Sequence, residues 1–308
     1  MVGKEKGLCT VHMDLSEYRQ FQLTFLNLAG QIRGVAEKRQ FSGLVQVLDA
    51  LSKRVREERF FVSVLGEIKR GKSTLINALL GSDVLPRTAA VCTAALCLIV
   101  YAEKPSATLF YRDGTKQEVP ATDLKAWVTR KNAMVSGIEH VEVGFPLPLL
   151  RNGVIIVDTP GVNDTDEVRR RLTEEFIPRS DGVLFVLNVG QPLSASEMTF
   201  LTGSVLRHHI KKVWFVVNGI DRLENDAQRE EAVSYCRNHL REIIPDAEVH
   251  PLSAKVALTA LTATPADSAQ LAASGLPAFL QILETDLLHN RWASLFDVPI
   301  SRLRGILG

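Results

Sequence analysis

The 308-residue sequence predicts an α/β domain with a doubly wound, mostly parallel sheet, flanked by helices at both ends. Three observations carry this expectation. A short apolar run, Phe60 to Leu65, meets a glycine-bearing loop and then a helical pattern from Lys72 to Leu80. Strand-length apolar runs then alternate with helical patterns through the second half of the chain, as a sheet covered on both faces requires. The composition, 46% hydrophobic and 23% charged, is that of a globular chain long enough to bury a large core.

From Asp14 the apolar residues Tyr18, Phe21, Phe25, Leu28, Ile32 and Val35 recur every three or four positions, with Asp14 and Glu17 spaced as a capping pair. A second helix is expected on Leu44, Leu48, Leu51 and Val55. The two helices either cover the main core or join a separate bundle. After the first strand and helix come strands at Ala95 to Val100, Val141 to Phe145 and Val154 to Val157, with a hairpin from Thr108 to Val119 turning at Asp113-Gly114. The rhythm then becomes regular: helix Glu167 to Phe176, strand Gly182 to Leu187, helix Ser196 to Leu206, strand Val213 to Val217, helix Asp226 to Ile244, strand Glu248 to Pro251. Ala263 to Ser274 reads as a loop, and Leu276 to Leu307 as helical with a break at Pro299. The expected division is N-terminal helices over 1–57, the α/β domain over 58–262, and a linker with a C-terminal helix over 263–308.

Several function classes are disfavoured by composition. A net charge of +1 gives no electrostatic footprint for nucleic acid, and none is expected as a partner. The four cysteines form neither a CxxC pair nor a disulfide framework, so a reducing cytoplasm is the expected location. No apolar run is long enough to span a bilayer.

The chemistry concentrates at strand ends. Gly66, Glu67, Ile68, Lys69, Arg70, Gly71, Lys72, Ser73 and Thr74 fit the pattern GxxxxGK[ST] between a strand and a helix. Such a loop turns backbone N–H groups toward phosphate oxygens, its lysine reaches the β- and γ-phosphates, and its serine ligates Mg²⁺. Asp158 ends a β-branched run and is followed by Thr159, Pro160 and Gly161, which points to a carboxylate near the metal and a glycine N–H near a γ-phosphate. Asn218 to Asp221 follows the apolar strand Val213 to Val217, where a carboxylate accepts from the N1–H and 2-amino groups of guanine, which adenine does not offer. Ser253, Ala254 and Lys255 follow the last strand, with the Ala254 N–H placed to meet guanine O6. Thr93 is either a second Mg²⁺ ligand or a threonine opening a strand. The seven histidines form no ligand motif.

Leu65 to Gly81, with Val84-Leu85-Pro86, Cys92-Thr93-Ala94 and Val157 to Thr165, resembles the bacterial dynamin-like proteins motif by motif. The resemblance covers most of the chain, including the first helices and Gly275 to Phe279, which look like helices of a helical-bundle neck. It implies a P-loop GTPase that hydrolyses GTP to GDP and phosphate with Mg²⁺, using Lys72, Thr93 and Gly161 catalytically, Ser73, Thr93 and Asp158 on the metal, and Asn218 with Asp221 on the base. It also implies a nucleotide-dependent dimer of GTPase domains coupled to membrane remodelling or fusion. Membrane lipids would be met through a stalk or tip not evident in this chain, at the inner face of the cell membrane. The residues after Thr262 are too few for a long stalk, and a shortened form of the protein is expected.

Two departures stand out. Gly219 occupies the place where most GTPases have a lysine whose stem covers the base. Lys69 stands where dynamins of eukaryotes have a small polar residue, and it is either a cation acting on the transferring phosphate or a solvated loop lysine. The competing reading is an Era-like or septin-like regulatory GTPase that switches a protein or ribosomal partner. A third is a GTP-binding module without hydrolysis. The long interval between Gly66 and Asp158 favours the dynamin reading.

Overall fold

Nine strands form one sheet in the computed structural model, in the order β4-β3-β5-β2-β6-β1-β7-β8-β9. The structure describes residues 15–57, 59–86, 96–124, 137–151, 153–159, 176–208, 210 and 212–287. Among these, residues 15–57 and residues 59–287 make two separate compact units.

The first unit is a helical hairpin of α1 (Leu15–Lys38) and α2 (Ser42–Glu57). The chain turns through Gln40, at φ 59°, and the Phe41 N–H donates to the Ala36 carbonyl at 2.9 Å. Phe25, Ala29, Leu48, Leu51 and Val55 fill the seam. Leu28 and Val35, expected on the apolar stripe, instead face out at 55% and 61% exposure. The reason is steric. Alanines 29 and 36, each 2% exposed, occupy the buried stripe, where small side chains let helix backbones approach.

The second unit begins with β1 (Phe60–Leu65), which lies between β6 (Val154–Asp158) and β7 (Gly182–Asn188), parallel to both. β8 (Lys212–Asn218) and β9 (Val249–Leu252) extend the parallel run. On the other side, β2 (Leu96–Tyr101) is antiparallel to β6 and parallel to β5 (Ile138–Phe145). The hairpin β3 (Ser106–Tyr111) and β4 (Lys116–Val119) closes that edge. The sheet is therefore mixed, with its parallel half around β1.

Helices cover both faces of the parallel half. α3 (Lys72–Leu80) packs Leu75 and Ile76 on one face, together with Leu258 of α6 (Ala254–Thr262) and Phe279 and Leu283 of α8, which spans 276–287. On the opposite face lie Phe200 of α4 (Ala195–Phe200) and Val233, Cys236 and Leu240 of α5 (Asp226–Arg241). Coverage from both sides explains why β7 is buried at every position.

Past Phe200 the helix departs from the expected path to Leu206 and loosens into wider turns over Leu201–Val205. The expected loop from Ala263 to Ser274 contains a short helix, α7 (Ser268–Ala273), capped by the Asp267 side chain on the Gln270 N–H at 2.9 Å. The alanine and serine content that suggested a loop is compatible with helix once that cap is in place. α8 is anchored by Asp286, which accepts from the Trp214 indole at 2.8 Å and pairs with Lys212 at 2.9 Å. The helix expected over Glu167 to Phe176 lies outside the described residues except for Phe176, as does the C-terminal helix past residue 287.

Candidate functional site

The C-terminal ends of β1, β6, β7, β8 and β9 meet at one edge of the sheet, where a crevice is expected in an open α/β fold. β1 delivers Gly66, and the loop to Gly71 turns the chain into α3. Gly66 at φ 144° and Gly71 at φ 96° take backbone conformations that favour glycine. A Cβ at Gly66 would strike the Val186 carbonyl, and one at Gly71 would strike the Asn218 amide. Lys69, at φ 65°, is a non-glycine residue in the left-handed region and is exposed. The loop thus approaches the neighbouring strand ends as closely as its glycines permit.

Lys72 is buried, and its ammonium donates to the carbonyls of Gly66 and Glu67, each at 2.9 Å. One residue on, Ser73 Oγ donates to Asp158 Oδ2 at 2.9 Å. Asp158 is 2% exposed at the end of β6, and Thr159 Oγ1 donates to the Val64 carbonyl at 2.6 Å, fixing β6 against β1. A hydroxyl and a carboxylate at the N-terminus of α3 are hard oxygen donors of the kind Mg²⁺ takes. Thr93 and Gly161 lie outside the described residues.

At the other end of the crevice, the Asn218 side chain ties three loops together. Its amide donates to the Arg70 carbonyl at 2.9 Å and its oxygen accepts from the Ala254 N–H at 3.0 Å. Ser253 Oγ donates to Asp221 Oδ1 at 2.5 Å and also accepts from the Val256 N–H at 3.1 Å, capping α6. Between these groups and the phosphate loop lies a cleft of about 340 Å³. Lys69, Lys72, Ser73, Asn218, Asp221 and Lys255 are among its lining residues, so most expected loop and base residues face one cavity. Gly66, Glu67, Ile68, Ser253 and Ala254 are absent from that lining, while Arg70 and Gly71 contribute to it.

Residues 62–220 match the dynamin family, just over half of the sequence. This chain belongs to the dynamin family. A bacterial dynamin-like protein of Nostoc punctiforme is 29% identical over 277 residues, covering 80% of this chain and 39% of its own. A protein in the xynA 3′ region of Caldicellulosiruptor sp. is 31% identical over 246 residues, covering 79% of this chain and 60% of its own. The chain spans about 60% or less of the length of these curated relatives. A solved oligomerised bacterial dynamin pair shares the fold with a TM-score of 0.62 at 22% identity, over 96% of this chain and 56% of that one. The family match favours the dynamin reading over the Era-like or septin-like one.

Three residues of this dynamin-like site escaped the sequence reading. Asn188 ends β7 and lines the cleft, its side-chain oxygen accepting from the Gly190 N–H at 3.0 Å and from Arg222 at 3.4 Å. A polar residue closing a wholly apolar strand was its signal. Arg222 lines the cleft one position after Asp221. Glu197, wholly buried, pairs with Arg70 at 2.8 Å, while the Arg70 guanidinium also pairs with Glu67 at 2.5 Å. Burial pushes the Glu197 carboxyl above the usual carboxylate range, against the pull of the Ser194 N–H and of Arg70. Its spacing from Ser194 matches a capping box, the one sequence signal it carries.

Proposed function

We propose that this chain hydrolyses GTP to GDP and phosphate, and that nucleotide-dependent pairing of two GTPase domains couples the reaction to membrane remodelling or fusion. The observation that carries the chemistry is that Lys72, Ser73, Asn218 and Asp221 line one cleft, with Asp158 bonded to Ser73 and Ser253 bonded to Asp221. That arrangement suits a triphosphate and a purine bearing a 2-amino group.

In this reading the phosphate loop presents its N–H groups and the α3 N-terminus to the phosphate chain. Lys72 leaves the carbonyls of Gly66 and Glu67 to meet the β,γ-bridging region, where negative charge is greatest. Asp221, oriented by Ser253, accepts from the guanine edge, and the Ala254 N–H leaves the Asn218 side-chain oxygen to meet O6. Mg²⁺, when bound through Ser73, Thr93 and Asp158, supplies charge neutralisation on the phosphate oxygens. Lys69 adds a cation above the phosphates, and Gly161 contributes its N–H at the γ position.

The membrane part rests on relatives. The solved dynamin pair is described in terms of long-range sensing and tethering of membranes, and it is oligomerised. No helix among the described residues is long and apolar enough to cross a membrane. By the family resemblance, lipid contact would come through a stalk or tip. The test is GTP turnover against protein concentration, with light scattering in GDP and in a transition-state mimic. Turnover per molecule should rise with concentration as a dimer forms in the mimic. A flat rate from a monomer in every nucleotide state would favour a regulatory GTPase. Binding without turnover would favour a non-hydrolysing module.

A further inference from the structure

The phosphate loop carries two adjacent cations, Lys69 and Arg70, and they have opposite fates. Both residues contribute to the cleft lining, whereas neither Glu67 nor Glu197 does, and Lys69 is exposed. Arg70 has its guanidinium drawn inward, with a side chain 11% exposed, between Glu67 and Glu197. Its main chain is held as well, through the Asn218 amide on its carbonyl.

The carboxylates that hold Arg70 are themselves fixed from α4. Glu67 Oε1 accepts from Ser194 Oγ at 3.0 Å and from Ser196 Oγ. Glu197 Oε2 accepts from the Ser194 N–H at 3.0 Å while Ser194 Oγ accepts from the Glu197 N–H at 3.2 Å. The capping box of α4 is therefore also the clamp on the phosphate loop. Two buried carboxylates facing one guanidinium form an arrangement that an isolated helix cap does not need, since a cap is complete with Ser194 and Glu197 alone.

We infer that Glu197 is a positioning residue that acts through Arg70, keeping that guanidinium out of the nucleotide cleft so that the loop presents Lys69 instead. It touches no nucleotide. Its effect is to choose which of two neighbouring cations meets the phosphates, and to tie the loop after β7 to the loop after β1.

The inference rests on the GTPase reading, and its test separates the two. Glu197→Gln keeps the shape and the acceptor for the Ser194 N–H but removes the charge that holds Arg70. The full chain is assayed for kcat, for binding of a fluorescent GDP and for thermal midpoint. The expected result is a kcat lowered roughly tenfold or more, because misplacing a reacting group by about an ångström has effects of that size, with GDP bound as tightly or more tightly as Arg70 enters the cleft. The double variant Glu197→Gln with Arg70→Gln should bind GDP as the wild type does and lose no more kcat than the single variant, because both residues act through one pair. The neutral pair also avoids the buried Glu197 carboxylate that Arg70→Gln alone would leave without its cation.

An unchanged kcat in Glu197→Gln would overturn the inference. So would kcat and GDP affinity falling together with the thermal midpoint, or losses that multiply in the double variant. A wild-type chain that binds GDP but never turns over GTP would defeat the GTPase reading itself, and the inference would then stand or fall on the GDP measurements.

Discussion

Ser73 Oγ donates to Asp158 Oδ2 across 2.9 Å, joining the first turn of α3 to the end of β6. The two residues are far apart in sequence and meet because β1 and β6 are parallel neighbours, so the loops leaving their C-terminal ends open on the same side. In the proposed function this pair is where a divalent cation would be shared.

Ser73→Ala should therefore weaken GDP and GTP binding mainly when Mg²⁺ is present, with little effect on binding in chelator, since the hydroxyl would reach the nucleotide only through the metal, while its bond to Asp158 bears on stability. Titration of a fluorescent nucleotide with and without Mg²⁺ checks it, and equal losses in both conditions would assign the effect to folding. Lys72→Ala should abolish hydrolysis and most affinity in either condition. The ammonium lost there neutralises phosphate charge directly.

At the base end, Asp221→Asn should shift preference from GTP toward xanthosine triphosphate, because the asparagine amide donates where the carboxylate accepted. Competition binding measures the shift. Ser253→Ala is the informative companion. It removes both the hydroxyl on Asp221 and the cap of α6, and should cost about 1 kcal/mol of stability by the cap alone. Guanine preference should fall in that variant while the preference for xanthosine triphosphate does not rise.

How far the sequence could be read follows from what each feature depends on. The phosphate loop between β1 and α3 and the hairpin turn at Asp113-Gly114 are local, and their glycines and apolar runs declare them. Gly114 stands at φ 85°, and Asp113 Oδ1 accepts the Thr115 N–H at 2.9 Å. The antiparallel pairing of β2 with β6 is not local, and a buried strand reads the same in either direction. Ala29 and Ala36 were passed over because periodicity is easiest to see in large side chains. The Ser253 hydroxyl both caps α6 and bonds Asp221, and its sequence neighbours show only the first of these roles. Nothing near Glu197 in sequence names Arg70 as its partner.

His250 gives the stability a pH dependence. It lies against Phe279 with ring centroids 5.2 Å apart, and burial holds its pKa below the ordinary imidazole value, with Lys212 adding to the depression and Glu248 and Asp286 opposing it. The unfolded chain then takes up a proton at a higher pH than the folded one. His250 contributes its full stability above the ordinary value near about 6.5 and loses it progressively as pH falls toward the folded value. Thermal midpoints measured from about pH 7.5 down to about pH 5 should drop less steeply in His250→Phe than in the wild type. Parallel curves for the two proteins would remove His250 from the pH response.

The last prediction concerns Lys69, which meets the cleft from a backbone at φ 65° that an L-residue adopts at a cost. A solvated lysine would gain nothing from that conformation, and glycine there would stabilise the fold by roughly 1 kcal/mol. Lys69→Gly is therefore a sharper substitution than Lys69→Ala, because it removes the cation while relieving the backbone. If the ammonium meets charge that develops only in the transition state, kcat should fall by roughly tenfold to a thousandfold. Affinity for a non-hydrolysable GTP analogue should change much less, and the thermal midpoint should rise. Lys69→Arg should recover part of the rate, since it restores a cation with a different reach. A variant that is more stable and hydrolyses GTP as fast as the wild type would reduce Lys69 to a solvated loop residue. Parallel losses of rate and analogue affinity would make it a ground-state phosphate contact instead.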